Sequence, residues 1–260
     1  MKKLTVLASS YKVENYLKEY LKSAASQSFK EFEIAFESIL PSSKEIKIFE
    51  KAKKKYSFIN LNVHNKILPL PAAWNISIER TNSELICIWN VDDLRTQNSL
   101  QRMVEVFNKN SDIDFVYGDY IVVNKFKKTK GNYVNESNRE NELKKSMIIG
   151  PFFMFRRNLL DRVGLFDEQL LSGADYDFAM RLGRKCKGKH LDYNLGFYLN
   201  TKTGLSTKPD SLQEIERTVV ELRYGLEPIN KSLTEKAESK YNISKYIIKN
   251  KSIDIKNYIN

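Results

Sequence analysis

The run Leu85-Ile86-Cys87-Ile88-Trp89 is apolar at every position, and Asn90-Val91-Asp92-Asp93 follows it directly. A strand that is apolar on both faces is typical of a parallel sheet covered by helices on each side. Sheets of this kind bind ligands at the carboxyl ends of their strands. The stretch therefore predicts a central buried strand that carries two adjacent carboxylates, Asp92 and Asp93, to a ligand-binding edge.

The chain before this strand alternates strand and helix patterns. The predicted strands are residues 4–8, 32–36 and 59–63, and the predicted helices are residues 14–25, 43–52 and 71–80. A capping box, Ser42-Ser43-Lys44-Glu45, opens the second helix, and Thr96 is predicted to cap a further helix. Four strand–helix units in residues 1–108 predict an α/β fold with a doubly wound parallel sheet.

The second half of the chain is less regular. Its patterns predict strands at residues 115–117 and 120–126, an exposed polar loop at 127–145, an apolar segment at 147–155, and helices at 157–163, 175–186, after 209 and at 233–248. We therefore expect one domain at residues 1–206, with a first half 1–108 that binds nucleotide and a second half 109–206 that binds acceptor. A helical C-terminal extension is expected at residues 207–260.

Composition limits the kind of protein. The 260 residues carry 43 Lys and Arg against 32 Asp and Glu, a formal net charge of +11. Hydrophobic residues make up 42% of the chain, which supplies a core and excludes disorder throughout. The positive charge suits a nucleic acid, an anionic membrane surface or a small anionic substrate such as a nucleotide. Because the basic residues are not interleaved with aromatic residues in one cluster, no nucleic-acid partner is expected.

Cysteine and histidine usage excludes two further classes. Cys87 and Cys186 lie far apart, no CxxC is present, and His64 and His190 are the two histidines, so neither a structural zinc site nor a disulfide framework is expected. The apolar run at the N-terminus is too short for a signal peptide, and no run approaches the roughly 18 apolar residues of a membrane span. A cytoplasmic location is therefore expected.

The carboxylates are the candidate reactive groups. Adjacent carboxylates repel each other unless a cation offsets them, and Mg²⁺ or Mn²⁺ held by one or two carboxylates plus phosphate oxygens is a frequent solution. The alternative for Asp92 and Asp93 is a solvated turn. Asp175 lies at a predicted helix start, where it either caps the helix or faces a cleft, and Asp177 points nearly the opposite way.

In their order along the chain, these segments resemble the family 2 glycosyltransferases, which are inverting enzymes of the GT-A fold. The matching segments are the loop Ser9-Ser10-Tyr11-Lys12, the helical segment Ala73-Trp74-Asn75, the metal motif Asn90-Val91-Asp92, residues 156–168, and Gly173-Ala174-Asp175-Tyr176-Asp177. The resemblance covers residues 4–206. It implies a GT-A fold, a Rossmann-like doubly wound mixed sheet flanked by helices.

The resemblance also implies a nucleotide-diphosphate sugar as donor and a role for each matching residue. The residues placed against the donor are Ser9, Ser10, Tyr11, Glu14, Glu37, Asn75, Asn90, Val91, Asp92 and Asp93, with Mg²⁺ or Mn²⁺ at Asp92 and Asp93. Asp175 would be the base that takes the proton of the acceptor hydroxyl, in one displacement that inverts the anomeric carbon. Phe152, Phe153, Asp177 and Arg181 would contact the acceptor or support the site from behind, and core packing is equally expected for the two Phe rings.

Several positions depart from the family pattern. Asn90 replaces the first Asp of the metal motif, Trp74 replaces an Arg, Ala174 replaces the Glu before the base, and Asn200-Thr201-Lys202 stands where many relatives have a His. A weak metal site, with part of the metal's charge role taken by Lys202 or Lys208, is therefore one open alternative. A catalytically weak or inactive relative that acts as a binding or scaffold protein is another.

The acceptor implied is a hydroxyl of a glycan, a lipid-linked or a protein-linked molecule, in the synthesis of a surface polysaccharide or glycoconjugate. A nucleotidyltransferase remains the second enzyme class, but its usual Gly-rich loop after the first strand is missing from Ser9-Ser10-Tyr11-Lys12. Beyond residue 230 the chain carries seven Lys against three acidic residues. This basic tail predicts contact with an anionic membrane, or else packing on the core or on a second subunit.

Overall fold

The computed structural model describes residues 2–136, 142–200 and 211–259. The β-strands are β1 Leu4–Ser10, β2 Phe32–Ile39, β3 Ile59–His64, β4 Leu85–Ile88, β5 Leu94–Arg95, β6 Phe115–Val123, β7 Asn132–Val134, β8 Phe153–Arg156, β9 Gly188–Leu199, β10 Lys245–Ile248 and β11 Lys251–Asp254. The α-helices are α1 Leu17–Ser26, α2 Ser43–Lys55, α3 Leu70–Glu79, α4 Ser99–Lys109, α5 Leu160–Val163, α6 Ala174–Lys185, α7 Leu212–Arg223, α8 Thr234–Lys240 and α9 Lys256–Ile259.

Within the described residues, nine strands form one mixed sheet in the order β3-β2-β1-β4-β8-β6-β9-β5, with β7 paired to β6. Strands β1 to β4 pair in parallel, whereas β8 is antiparallel to both of its neighbours, β4 and β6. The chain moves outward from β1 to β3 on one side and then returns to place β4 on the other side of β1. The predicted doubly wound α/β fold is therefore confirmed, with its switch point between β1 and β4.

Helices cover both faces of this sheet. The apolar residues of α1, α2 and α4 belong to the core on one face, and those of α3, α6 and α7 belong to the core on the other. In β4, Leu85 and Cys87 join the first core, while Ile86 and Ile88 join the second. This division explains why every position of that strand is apolar.

The sequence predicted the start of helix α2 correctly and that of helix α4 incorrectly. Ser42 and Glu45 form the predicted capping box at the start of α2, with both hydrogen bonds present. The helix predicted to begin after Thr96 begins instead at Ser99 with Asn98 as its cap. The reason is that the Thr96 hydroxyl donates a hydrogen bond of 2.8 Å to the carbonyl oxygen of Asn194, which ties β5 to β9.

Two strand patterns that were predicted separately form the single strand β6. Its pairing with β9 shifts register between Gly118 and Asp119. A Cβ atom at Gly118 would lie 2.6 Å from the carbonyl oxygen of Leu191, so only glycine allows the two backbones to approach this closely. The bulge keeps both segments in one strand.

The C-terminal region differs from its predicted helical form. The helix expected over residues 233–248 ends at Lys240, and residues 245–254 form a hairpin of β10 and β11. Tyr246 and Ile248 are buried while Lys245 is exposed, which is the alternation of a strand. Lys249 and Asn250 both have positive φ, the conformation that a two-residue hairpin turn of this kind requires.

The C-terminal region packs on the same core as the rest of the chain. Ile215, Val219 and Val220 of α7 are buried in the same core as the apolar residues of α3 and α6. The region is therefore part of the layer on that face of the sheet. Among the described residues, no helix is long and apolar enough to cross a membrane.

Candidate active site

The end of β4 forms a tight turn at the carboxyl edge of the sheet. The backbone N–H of Asp93 donates to the carbonyl oxygen of Asn90 at 3.1 Å, and the Trp89 indole N–H donates to the carbonyl oxygen of Asp93 at 3.0 Å. Asp93 is buried, and its Oδ1 accepts the backbone N–H of Leu199 at 2.9 Å. The turn is thereby fastened to the end of β9, and Val91 is buried beneath it.

Asp92 and Asp93 differ in exposure, but the pKa of both carboxyl groups is raised. Asp92 is partly exposed, and burial raises its pKa. The pKa of Asp93 is raised well above its usual value, first by burial and then by the charge of Asp92. Two adjacent carboxylates whose ionised forms are disfavoured suit a divalent cation, which would offset both charges. The described residues contain no group of three or more His, Cys, Asp or Glu around a possible metal position, so phosphate oxygens would have to complete such a site.

Two serine hydroxyls lie on the other side of the switch point. Ser10 ends β1 and pairs in register with Ser38 of β2. Both side chains are buried, and within the described part of the chain neither hydroxyl has a hydrogen-bond partner. Buried polar groups are nearly always paired, so two orphan hydroxyls at a ligand-binding edge fit a bound polar molecule. Ser38 was missed in the sequence, where only its register with Ser10 would have indicated it.

Three more of the predicted donor-binding residues lie around the end of β1. Ser9 is partly buried and Tyr11 is exposed, with the Lys12 ammonium 5.0 Å from the centre of its ring. Glu14 accepts a hydrogen bond of 2.5 Å from the Ser42 hydroxyl and pairs with Lys44 at 2.9 Å, and these contacts lower its pKa. Glu14 therefore links the loop after β1 to the start of α2.

Glu37 and Asn75, which the sequence predicted to face the donor, are buried in contacts within the protein. Glu37 accepts hydrogen bonds from Arg80 Nε at 2.5 Å and Ser77 Oγ at 2.9 Å, and its other oxygen lies 2.6 Å from His64 Nε2. Asn75 Nδ2 donates to the carbonyl oxygen of Phe166 at 2.9 Å, and its Oδ1 accepts the backbone N–H of Phe166 at 3.0 Å. Each side chain thus holds α3 to a neighbouring segment, and donor contact by Glu37 or Asn75 stays a prediction.

Phe152 and Phe153 are core residues. Both rings are buried in the core and leave no surface for an acceptor. The Arg95 guanidinium lies 4.9 Å from the centre of the Phe152 ring, and Phe153 packs on Phe155. Core packing, which the sequence left open for both rings, is what the structure has.

Asp175 lies in the first turn of α6. Because α6 precedes β9, which runs parallel to β6, the helix runs opposite to these strands and its N-terminus lies at their carboxyl edge. The Tyr176 backbone N–H donates to Asp175 Oδ1 at 2.8 Å. Burial raises the pKa of Asp175 to about 6, and the negative charge of Glu216 acts in the same direction. A carboxylate with this pKa can take up a proton near neutral pH.

Asp177 and Arg181 face the protein interior. Asp177 Oδ2 lies 2.8 Å from Arg181 Nη2, and both side chains are fully buried. Arg181 also donates to the carbonyl oxygen of Leu165 at 2.9 Å. These contacts fix the orientation of α6. Lys202 and Lys208, which were predicted to share the charge role of a metal, lie outside the described residues, as does Thr201.

Comparison with known families identifies the class of the chain. Residues 5–164 match the family model described as glycosyl transferase family 2. This match covers more than half of the chain and includes both the turn after β4 and the segment that leads toward α6. The chain therefore belongs to glycosyl transferase family 2, and the expected family is confirmed.

Curated relatives carry the same assignment. The chain is 24% identical over 185 residues to a glycosyltransferase of Methanocaldococcus jannaschii that is described as uncharacterized. The alignment covers 68% of this chain and 62% of the relative. The chain is also 24% identical over 190 residues to a similarly described glycosyltransferase of Rickettsia conorii, covering 70% of this chain and 31% of the relative. This chain thus spans less than two thirds of the length of either relative.

Solved structures share the fold. TarS of S. aureus, residues 1–349 in complex with UDP, aligns over 92% of this chain and 71% of its own, with a TM-score of 0.65 and 19% identity. The mannosyltransferase PcManGT from Pyrobaculum calidifontis, in complex with GDP-Man and Mn²⁺, aligns over 85% of this chain and 62% of its own, with a TM-score of 0.61 and 14% identity. At these identities the likeness establishes the GT-A fold.

Proposed function

We propose that this protein transfers a sugar from a nucleotide-diphosphate sugar to a hydroxyl group, with inversion at the anomeric carbon. The proposal is supported by three features that the directions of the strands and of α6 assign to the carboxyl edge of the sheet. These are the orphan hydroxyls of Ser10 and Ser38, the carboxylates of Asp92 and Asp93, and the N-terminus of α6 with Asp175. They match the needs of a donor's nucleotide, its diphosphate and an acceptor hydroxyl.

The donor would lie across the switch point between β1 and β4. Ser10 and Ser38 would hydrogen-bond the nucleotide, with Ser9 and Tyr11 beside it. Asn90 and Asp92 would face the diphosphate. TarS has been solved with UDP-GlcNAc and PcManGT with GDP-Man, which supports a nucleotide-sugar donor as the substrate class.

Asp175 would act as the base. Its carboxylate takes the proton of the acceptor hydroxyl while the hydroxyl oxygen bonds to the anomeric carbon, and the bond from that carbon to the diphosphate oxygen breaks. Attack and departure occur on opposite faces of the sugar, so the configuration inverts without a covalent enzyme intermediate. Asp92, with Asp93 behind it, would hold a Mg²⁺ or Mn²⁺ ion that offsets the charge of the departing diphosphate.

The acceptor proposed is a glycan, lipid-linked or protein-linked hydroxyl. All seven Lys side chains beyond residue 230 are exposed, which supports presentation of the acceptor at an anionic membrane surface. Reversing Lys236, Lys240 and Lys251 to Glu should reduce sedimentation with phosphatidylglycerol vesicles. Reversing Lys51, Lys53 and Lys54 of α2 should reduce it less, and equal losses would remove the tail's special role.

Thermal unfolding with nucleoside diphosphates tests the donor site. UDP or GDP with Mn²⁺ should raise the Tm of the wild-type protein, and Asp92→Asn should diminish that rise. Asp112→Asn is the matched control, because Asp112 is an exposed residue that pairs with Lys187 away from the end of β4. No rise with any nucleoside diphosphate would contradict the proposal, and an equal rise without Mn²⁺ would contradict the metal.

A further inference from the structure

Glu216 of α7 makes an unusual set of contacts for a buried carboxylate. Its Oε2 accepts the backbone N–H groups of Ser172 at 2.6 Å and Gly173 at 2.7 Å, and its Oε1 accepts the backbone N–H of Leu171 at 2.9 Å. The hydroxyl of Tyr241 donates to Oε1 at 2.8 Å. The Glu216 side chain is fully buried, and its hydrogen bond to Gly173 is buried with it.

The three backbone groups belong to the segment directly before α6. Gly173 caps that helix and Asp175 is its second residue. A Cβ atom at Gly173 would lie 3.0 Å from Glu216 Cβ, so the loop and the side chain fit closely. Leu171, at the other end of the triplet, has an exposed side chain, so its backbone contact with Glu216 helps to hold this part of the loop. A residue more than 40 positions downstream thus fixes the approach to the candidate base.

We propose that Glu216 is a positioning residue for catalysis, which holds the loop at residues 171–173 and thereby sets the place of Asp175 at the start of α6. This inference rests on the proposed function, in which Asp175 is the base. Helix α7 lies outside residues 5–164, which match the family model. The proposal gives this helix a role in positioning the candidate base.

The raised pKa of Asp175 comes first from burial and in smaller part from the charge of Glu216. On α7, Arg217 pairs with Glu221, and Arg223 pairs with Asp177 and Asp167. On α6, Asp177 also pairs with Arg181, and Tyr241 at the end of α8 binds Glu216 itself. Within the described residues no cation pairs with Glu216. Its negative charge adds to the effect of burial and disfavours ionisation of the Asp175 carboxyl.

Two substitutions separate the hold on the loop from the charge. Glu216→Gln keeps the length and removes the charge, so one of its two terminal groups can no longer accept a backbone N–H. We expect the amides of residues 171–173 to exchange with deuterium at least tenfold faster, and the acid limb of the kcat profile to move to lower pH. Glu216→Asp keeps the charge and shortens the reach, so exchange should accelerate while the acid limb stays in place.

Controls distinguish failure of this inference from failure of the proposed function. Glu221→Gln changes a buried carboxylate of the same helix that binds Arg217, and should alter neither measurement. Unchanged exchange in Glu216→Gln, or an unmoved acid limb, overturns the positioning role. Activity retained by Asp175→Asn would overturn the base while leaving the exchange result interpretable. If Glu216→Gln fails to fold, Gly173→Ala serves as a second variant, because its added methyl group crowds Glu216. Gly173→Ala should speed amide exchange at residues 171–172 and lower kcat, with the KM for the donor unchanged. If Gly173→Ala has neither effect, the proposal is overturned.

Discussion

Arg223 of α7 and Asp177 of α6 form an ion pair of 2.8 Å, and both side chains are fully buried. The same guanidinium nitrogen lies 2.9 Å from Asp167, in the segment between α5 and α6. The Tyr224 hydroxyl donates to the Tyr246 hydroxyl or accepts from it at 2.9 Å beside this pair. The C-terminal region is thus joined by buried charges to the helix that carries the candidate base.

Removing the positive charge of Arg223 should be strongly destabilising. Arg223→Met leaves two buried carboxylates without their shared cation, and we expect the free energy of unfolding to fall by about 3–5 kcal/mol. Chemical denaturation measures this. Arg217→Met is the matched control, because the Arg217 side chain is half exposed and pairs with a single carboxylate of the same helix, Glu221, so its loss should cost less than the loss of the fully buried Arg223. Equal losses would show that the buried pair does not hold α7 to α6.

Asp175 should be a destabilising residue at neutral pH. Its folded pKa of about 6 is higher than its ordinary value, so the folded protein binds that proton more tightly than the unfolded chain. Stability is therefore lost as pH rises through this range, and Asp175→Asn should raise the free energy of unfolding by roughly 1–3 kcal/mol at pH 8. The gain should vanish below about pH 4, where the carboxyl is neutral in both states. A variant no more stable than the wild type at pH 8 would contradict the raised pKa.

The Ser38 hydroxyl should contribute to the affinity for a nucleoside diphosphate and not to the stability of the fold. Because it has no partner among the described residues, Ser38→Ala should leave the free energy of unfolding unchanged or raise it. Loss of one hydrogen bond should weaken binding of a nucleoside diphosphate by roughly three- to tenfold, measured by calorimetric titration. Ser77→Ala is the control, since the Ser77 hydroxyl donates to Glu37 and should affect stability and not affinity. The opposite pattern would place Ser38 outside the donor site.

Sequence patterns predicted the parts of the molecule that local chemistry determines. The apolar run of β4, the capping box at Ser42 and the helix that begins beside Asp175 follow from burial, capping and spacing over a few residues. The patterns also place the candidate site at the sheet's carboxyl edge, because parallel β–α units bring their strand ends together, and this location stays a prediction.

The remaining features depend on contacts between distant segments. Glu37 was predicted at the donor, but its partners Ser77 and Arg80 lie 40 and 43 positions away, and no local pattern indicates them. Glu216 was not predicted for the same reason, since it contacts residues 43 to 45 positions earlier. The helix predicted through residue 248 ended early because Tyr246 packs on Arg181 and Arg223, which favours a strand there.

The most direct test of the proposed function compares the wild-type protein with Asp175→Asn on a panel of nucleotide-diphosphate sugars. Calorimetry measures the affinity for each donor, and the rate of nucleoside diphosphate release measures turnover. The wild type should release nucleoside diphosphate from at least one donor. Asp175→Asn should bind that donor with a Kd within about threefold of the wild type, yet turn over at least ~100-fold more slowly, as expected for loss of a general base. Near wild-type turnover by Asp175→Asn would contradict the account.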